Sequence, residues 1–299
     1  MKELRNAVKG KLVTRMPPEP SKHAHLGHAL SFLINYVYAK KYNGKCYLRY
    51  EDTNPDKVSK EFLDSMEYDI KKYLCIRPDK TVFVSDHMEK LYSYAEELIH
   101  RNEAYVCGCE QQIMRDLRHK GEDCWCRHRS NKENMGDWNL MLKKKIKEGE
   151  KTLRLKIDMT NNNHLLRDPV IFRISYSRHY RKGKKYCVWP TYDFYNPIED
   201  NESGVNYILK SNEFGGMRTE LHNHIRRLFN FKIPDEFQYG RFNVNDRISQ
   251  GREIRDLIDQ GKVNGWDDPR LITLKALRRR GIIKETFYEL VKEVGLSKT

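Results

Sequence analysis

Residues 11–50 read KLVTRMPPEP SKHAHLGHAL SFLINYVYAK KYNGKCYLRY, and the fold turns on how this stretch is parsed. Lys11 to Met16 alternates in the manner of a short buried strand. A loop holding Pro17, Pro18 and Pro20 follows, because proline neither donates to a ladder nor continues a helix interior. Beyond it, Leu26, Ala29, Leu30, Leu33 and Val37 recur at helical spacing, and Phe32, Ile34, Tyr36 and Tyr38 widen the stripe. Asn43-Gly44 closes the helix, and Cys46 to Tyr50 reads as a second strand. Strand, loop, helix and strand within about 40 residues form a βαβ unit, which implies a parallel sheet.

Working outward, helices are expected over Ser59–Tyr73 and Met88–Arg101, with a strand near Thr81–Ser85 between them. Residues 104–130 look short, Cys-rich and irregular. A polar helix is expected over Asn131–Glu148, and strands over Thr152–Ile157, Val170–Ile174 and Tyr186–Trp189. Helical patterns end the chain around Arg252–Gln260, Arg270–Arg280 and Lys284–Val294. The fold class is therefore α/β, with a sheet whose first half is interrupted by a long insertion.

The 299 residues, 38% hydrophobic and 33% charged, carry enough apolar surface for a core and exclude wholesale disorder. No apolar run approaches the ~20 residues of a membrane span, so no membrane partner is expected. Met1 to Lys11 holds charges and no apolar run, so a cytoplasmic location is expected.

Lys and Arg number 56 against 42 Asp and Glu, giving a net charge of +14. Such a surplus favours a polyanionic partner, because each neutralised phosphate releases counterions. The excess gathers at Lys143–Lys145, Arg178–Lys185 and Arg278–Arg280. Tyr176, Tyr180 and Tyr186 interleave with the second cluster, a mixture suited to RNA backbone and bases.

The segment Pro17 to His28 joins the first strand to the N-terminus of the first helix. Backbone N–H groups and the positive end of the helix dipole converge there, which suits phosphate. Gly27 permits close approach of a ligand to the backbone, and His25 and His28 add donors. Separately, Cys107-Gly108-Cys109 and Cys124-Trp125-Cys126 pair thiols at close spacing. In a reducing compartment that pattern favours structural, tetrahedral Zn2+ over disulfides, with His128 as an alternative ligand.

These residues resemble a known family. His25-Leu26-Gly27-His28 is similar to the HIGH signature of class I aminoacyl-tRNA synthetases. Arg15 to Ser21 is similar to the R-F-P-P-E-P-S segment of the glutamyl and glutaminyl enzymes. Leu48–Pro55, Arg167–Val170, Trp189–Phe194 and Gly265–Arg270 continue the match in order. The resemblance is closest to the archaeal and eukaryotic glutamyl type, taken as the catalytic portion without the anticodon-binding barrels.

The resemblance implies a Rossmann-like catalytic domain with a zinc-containing insertion and a C-terminal helical region. It places the first catalytic half at 1–85, an acceptor-binding insertion with the zinc site at 86–185, and the second half at 186–245. Residues 246–299 would hold a variant K-M-S-K-S-like loop and a helical stem-contact region.

It also implies ATP-dependent formation of glutamyl-adenylate and transfer to the terminal ribose of tRNA(Glu), with Mg2+ on the triphosphate and a monomeric enzyme. The attacking carboxylate is already ionised near pH 7, so the site must supply positioning and charge rather than a base. By resemblance, catalysis falls to His25, His28 and Arg252, and ATP meets Pro18, Glu19, Ser21, His25, Gly27, His28, Ser249 and Arg252. Arg15, Glu51, Tyr192 and Lys210 would bind the amino acid.

Two positions depart from the family pattern. Gln250 stands where a loop lysine falls, and Lys22 replaces a usual glycine. Arg252 is expected to reach the phosphates in place of the lysine, or Arg247 from the other side. The alternatives are a truncated relative that passes the activated amino acid to another acceptor, and a catalytically silent RNA-binding paralogue.

Overall fold

The computed structural model describes residues 2–212, 215–240, 242, 248 and 251–297. It opens with β1 (Val13–Met16), α1 (Leu26–Lys41) and β2 (Lys45–Tyr50). β1 and β2 are parallel, with Val13 opposite Lys45, as the βαβ reading requires. Gly44 makes the return possible. A Cβ there would lie 2.1 Å from the Leu12 carbonyl oxygen, so no other residue fits without moving the strand. The helix expected over 59–73 is α2 (Lys60–Tyr68) followed by a π-helical turn, Asp69–Tyr73. β3 (Lys80–Phe83) then adds to the sheet parallel to β2.

The insertion begins with α3 (Met88–His100). Residues 104–130 are more regular than expected, holding β4 (Ala104–Cys107) and α4 (Gln111–Lys120). α4 buries no side chain completely, and so leaves a weak periodic signal in the sequence. The next helix, α5 (Asn131–Leu142), is shorter than the expected 131–148. The chain turns left-handed at Lys144 (φ 60°), and Lys145 N–H closes onto the Leu140 carbonyl at 2.9 Å, which is a helix stop made without glycine.

β5 (Thr152–Leu155), β6 (Val170–Ile174) and β7 (Val188–Pro190) join β4 in an antiparallel sheet of order β4-β5-β6-β7. Its core packs Tyr92, Trp138, Phe172 and Trp189. β7 was expected in the second half of the parallel sheet, but it pairs with β6, Phe172 facing Pro190. A three-residue apolar strand carries no sequence mark of which sheet it joins.

The parallel architecture resumes after α6 (Tyr192–Glu202), with β8 (Tyr207–Ser211), α7 (Gly215–Leu228) and β9 (Asp235–Tyr239). β8 and β9 are parallel. β8 lies beside β1 without a ladder among the described residues. Asn206 tethers the two at one end: its main-chain N–H donates to the Val13 carbonyl (3.2 Å), and its side-chain oxygen accepts from Val13 N–H (2.8 Å). Asn35, the polar residue inside the apolar stripe of α1, bridges them further along. Its carbonyl accepts from the Thr14 hydroxyl and its side-chain amide donates to the Leu209 carbonyl. The strand order β3-β2-β1-β8-β9 thus reverses direction between β1 and β8, and such a switch point leaves a crevice at the strands' C-terminal ends.

α8 (Gly251–Asp259), α9 (Leu274–Arg279) and α10 (Lys284–Val294) complete the chain. Thr273 bridges antiparallel to His25, Leu26 N–H donates to Ile272, and Leu274 N–H donates to Ala24. The last quarter of the chain therefore clamps the segment leading into α1. Among the described residues no helix is long and apolar enough to cross a membrane.

Candidate active site and metal centre

A cavity of about 570 Å³ opens at the β1/β8 switch point. At one end stand the two histidines. His25 is the N-cap of α1, and its Nδ1 accepts from Gly27 N–H at 3.1 Å, while His28 Nδ1 accepts from His25 N–H at 3.2 Å. This is a capping box built from imidazoles instead of Ser and Glu. With Nδ1 accepting, the proton of each neutral ring resides on Nε2, which makes each a donor toward the cavity it lines. Burial first, then the proximity of His25 and of the Lys22 ammonium, push the His28 pKa well below the usual histidine range. His28 is therefore a neutral hydrogen-bond donor near pH 7, not a cation. The added charge on this wall comes from Lys22 and Arg252.

The other end holds a buried ionic cluster. Asp200 accepts from Arg15 Nε (3.0 Å), Arg49 (2.6 Å) and Arg226 (3.2 Å). Burial alone would raise its pKa, but the three guanidiniums outweigh it and hold the carboxyl well below the carboxylate range. The terminal nitrogens of Arg15 make no bond to another described residue, so its fork remains available at the cavity wall. Glu51 Oε1 accepts from Arg49 and Asn196, both at 3.0 Å, which leaves Oε2 for a ligand. Burial raises the Glu51 pKa, with Arg49 and Arg15 opposing the rise. Tyr192 completes the wall, its pKa raised by burial.

Lys210 is tied down more tightly than its sequence suggests. Its ammonium meets Glu236 at 2.9 Å and the Thr219 hydroxyl at 2.8 Å. Burial lowers its pKa, and Glu236 opposes that shift.

Pro18, Glu19, His25, Gly27, His28 and Arg252 all line the one cavity with Arg15, Glu51, Tyr192 and Lys210. Ser21 is not part of the lining; its hydroxyl donates to Glu19 at 3.0 Å. Ser249 lies outside the described residues, as do Arg247 and Gln250. The cavity also recruits Ser31, Phe32 and Tyr239. The first two continue the helical face of His28 at i+3 and i+4, so periodicity could have found them. Asp200, Arg226 and Glu236 stand behind the wall, and no local motif marks them.

The four cysteines converge. Cys107 and Cys124 sulfurs lie 3.9 Å apart, Cys109 and Cys126 3.8 Å apart, and all four within 4.8 Å of one another. A tetrahedron of sulfurs about 2.3 Å from a central zinc has edges of about 3.8 Å, so the set fits the metal. His128 is not in the cluster and faces Asp123 at 3.4 Å. The Arg154 guanidinium, fully buried, lies 3.8 and 3.7 Å from the Cys107 and Cys124 sulfurs and offsets thiolate charge. Asp168, in the Arg-Asp-Pro-Val motif, accepts from Tyr105, Arg127 and Ile157 N–H, and so braces the same cluster.

The basic stretch 178–185 is anchored to the catalytic half. His179 Nδ1 accepts from Arg181 and Lys182 N–H, which leaves Nε2–H to donate to the Asp52 carbonyl at 2.7 Å. Tyr180 donates to the Asp52 side chain. Arg178, Lys184 and Lys185 remain exposed.

Residues 11–299 match the family model described as tRNA synthetases class I (E and Q), catalytic domain. The chain is 40% identical over 299 residues to a glutamate–tRNA ligase of Pyrococcus abyssi, covering 99% of this chain and 52% of that protein. It is 38% identical over 291 residues to a glutamine–tRNA ligase of Clostridioides difficile, covering 96% and 52%. The chain thus spans about half the length of the curated relatives it matches. The solved glutamate–tRNA synthetase of Elizabethkingia anophelis is similar in fold, with a TM-score of 0.64 at 18% identity over 95% of this chain and 62% of that one. Extent of match, order of motifs and architecture agree: the chain belongs to the class I tRNA synthetase family for E and Q and carries its catalytic domain.

Proposed function

We propose that this protein activates glutamate with ATP and passes it to the terminal ribose of tRNA(Glu). The observation that carries the reading is the single cavity at the switch point. It joins a phosphate-suited helix N-terminus, capped by His25 and His28, to a buried carboxylate- and ammonium-binding pair, Arg15 and Glu51.

In this reading Arg15 takes the side-chain carboxylate of the substrate and Glu51 Oε2 takes its ammonium. Tyr192 forms the flat wall beside them. Arg15, Arg49, Lys210 and Arg226 face Glu51, Asp200 and Glu236, four cations against three carboxylates. The substrate ammonium on Glu51 adds to that surplus; a side-chain carboxylate lowers it by one and an amide does not, which favours glutamate over glutamine.

The substrate α-carboxylate attacks the α-phosphorus as the bond to the bridging oxygen breaks and pyrophosphate leaves. His25 and His28 donate from Nε2, and Arg252 approaches from the start of α8. Mg2+ enters with the triphosphate and offsets its charge. Cys107, Cys109, Cys124 and Cys126 would hold a structural Zn2+, which leaves no open position for catalysis. Residues 86–185 would then meet the acceptor end, and the anchored basic stretch 178–185 would meet its backbone. Residues 246–299 would lie along the stem, and the enzyme would act as a monomer in the cytoplasm.

ATP–pyrophosphate exchange with glutamate and glutamine, each with and without tRNA, tests the proposal. Glutamate-dependent exchange that requires tRNA is expected. Exchange without tRNA would favour another acceptor, and none under any condition would leave an RNA-binding paralogue.

A further inference from the structure

Lys22 enters the cavity from a direction that the first-helix motif does not supply. It shares the cavity lining with His25, Gly27, His28 and Arg252. Its aliphatic stem lies across the backbone of Gly251, the buried first residue of α8. A Cβ on Gly251 would stand 2.9 Å from Lys22 Cδ, 3.3 Å from Cβ and 3.7 Å from Cγ. Any side chain at 251 would displace the lysine, so the two positions are coupled. The ammonium is close enough to His28 to contribute to its depressed basicity.

The N-termini of two helices, α1 and α8, therefore meet with Lys22 between them. The positive ends of both helix dipoles face one space, and Arg252 contributes a guanidinium from the first turn of α8. Glu19 is the acidic residue on the same wall, and it is engaged by the Ser21 hydroxyl. A polyphosphate is the ligand whose charge matches this convergence.

We propose that Lys22 is a phosphate-binding residue of the ATP site, its ammonium acting with Arg252 to grip the polyphosphate between α1 and α8. The proposal rests on the ATP-dependent reading above. Gln250, beside Gly251 in the chain, is uncharged where the family resemblance expects lysine. Lys22 thus supplies a cation beside Gly251, where position 250 of the sequence has none. It forms no covalent bond to the substrate; it holds the polyphosphate and neutralises charge on the pyrophosphate as that group departs.

The test compares the unmodified 299-residue chain with Lys22→Met and with the double variant Lys22→Gly, Gln250→Lys. Pyrophosphate exchange is measured beside equilibrium binding of ATP and of adenosine. Lys22→Met should slow exchange about 100-fold and weaken ATP about 10-fold, with adenosine binding unchanged. The double variant should recover most of the exchange, because it returns one cation next to Gly251 in the chain. Unchanged ATP binding in Lys22→Met, or an equal loss for ATP and adenosine, overturns the proposal, and so does a double variant as slow as Lys22→Met. If the unmodified chain shows no exchange but Lys22→Met still loses ATP selectively, Lys22 stands as a phosphate ligand and the amino-acid activation falls instead.

Discussion

The Lys210 ammonium lies 2.9 Å from the Glu236 carboxylate, in a pair whose side chains are 9% and 16% exposed. Glu236 also accepts from Thr219 and Gln238, so the lysine is held at the cavity wall by an anchor on the neighbouring strand. Removing one partner of so buried a pair leaves an uncompensated charge.

Glu236→Gln should therefore destabilise the free protein by about 3 kcal/mol. Glutamate should stabilise the variant more than it stabilises the unmodified chain, because its carboxylate then supplies the missing counter-charge. Thermal melts with and without saturating glutamate, with glutamine as the control, measure the difference. An equal shift for both amino acids would show that Lys210 does not face the substrate side chain.

Asp200 offers a pH-dependent test. Its folded pKa is depressed by Arg15, Arg49 and Arg226 against the effect of burial. The stability it contributes is present above the unfolded carboxylate pKa of about 4 and is lost as pH falls below that value. Asp200→Asn should cost about 3–5 kcal/mol at pH 7, and the gap between variant and unmodified protein should narrow below pH ~4. Urea titrations at pH 7 and pH 3.5 read it directly.

Asp69 has the opposite sign. Burial pushes its pKa up to about 7, with Arg278 opposing from 3.5 Å and one carboxylate oxygen unpartnered. The group is protonated in the folded state through a range where the unfolded chain has released the proton. Stability should therefore fall by about 1.4 kcal/mol per unit as pH rises from ~4 toward 7. Asp69→Asn should remove that slope and stabilise the protein at pH 8, while having little effect at pH 4.

His28→Ala should lower the exchange rate about 100-fold while changing glutamate affinity little, since a phosphate contact is lost and the amino-acid end is intact. His28 stays neutral, so the rate should show no acid limb near pH 6.5 from this residue. A limb that appears in the unmodified chain and vanishes in His28→Ala would contradict the neutral-donor role.

For the cysteine cluster, one equivalent of zinc is expected in protein purified without chelator. Arg154→Met should weaken its binding about 10- to 100-fold, because the buried guanidinium no longer offsets thiolate charge. Cys126→Ser should disorder residues 104–130, read as loss of amide-exchange protection confined to that segment.

The sequence by itself determined the first βαβ unit, the Pro-rich turn before α1 and the pairing of the cysteines. Each depends on short-range spacing: helical period, the Pro and Gly punctuation of turns, and the i, i+2 placement of thiols. It also supplied Arg15, Glu51, Tyr192 and Lys210, by resemblance to motifs rather than by any local physical mark. The tertiary structure alone decided where β7 pairs and that 104–130 holds a helix. It also decided that Asp200 and Glu236 set the charge of the cavity and that Lys22 lies over Gly251. These relationships join residues far apart in the chain, and their energy arises from burial. Removing water strengthens the attraction between Asp200 and its three arginines, and lets one missing Cβ at Gly251 govern the path of a lysine. A sequence records which groups are present; desolvation and close approach, which fix what they do to one another, exist only once the chain has folded.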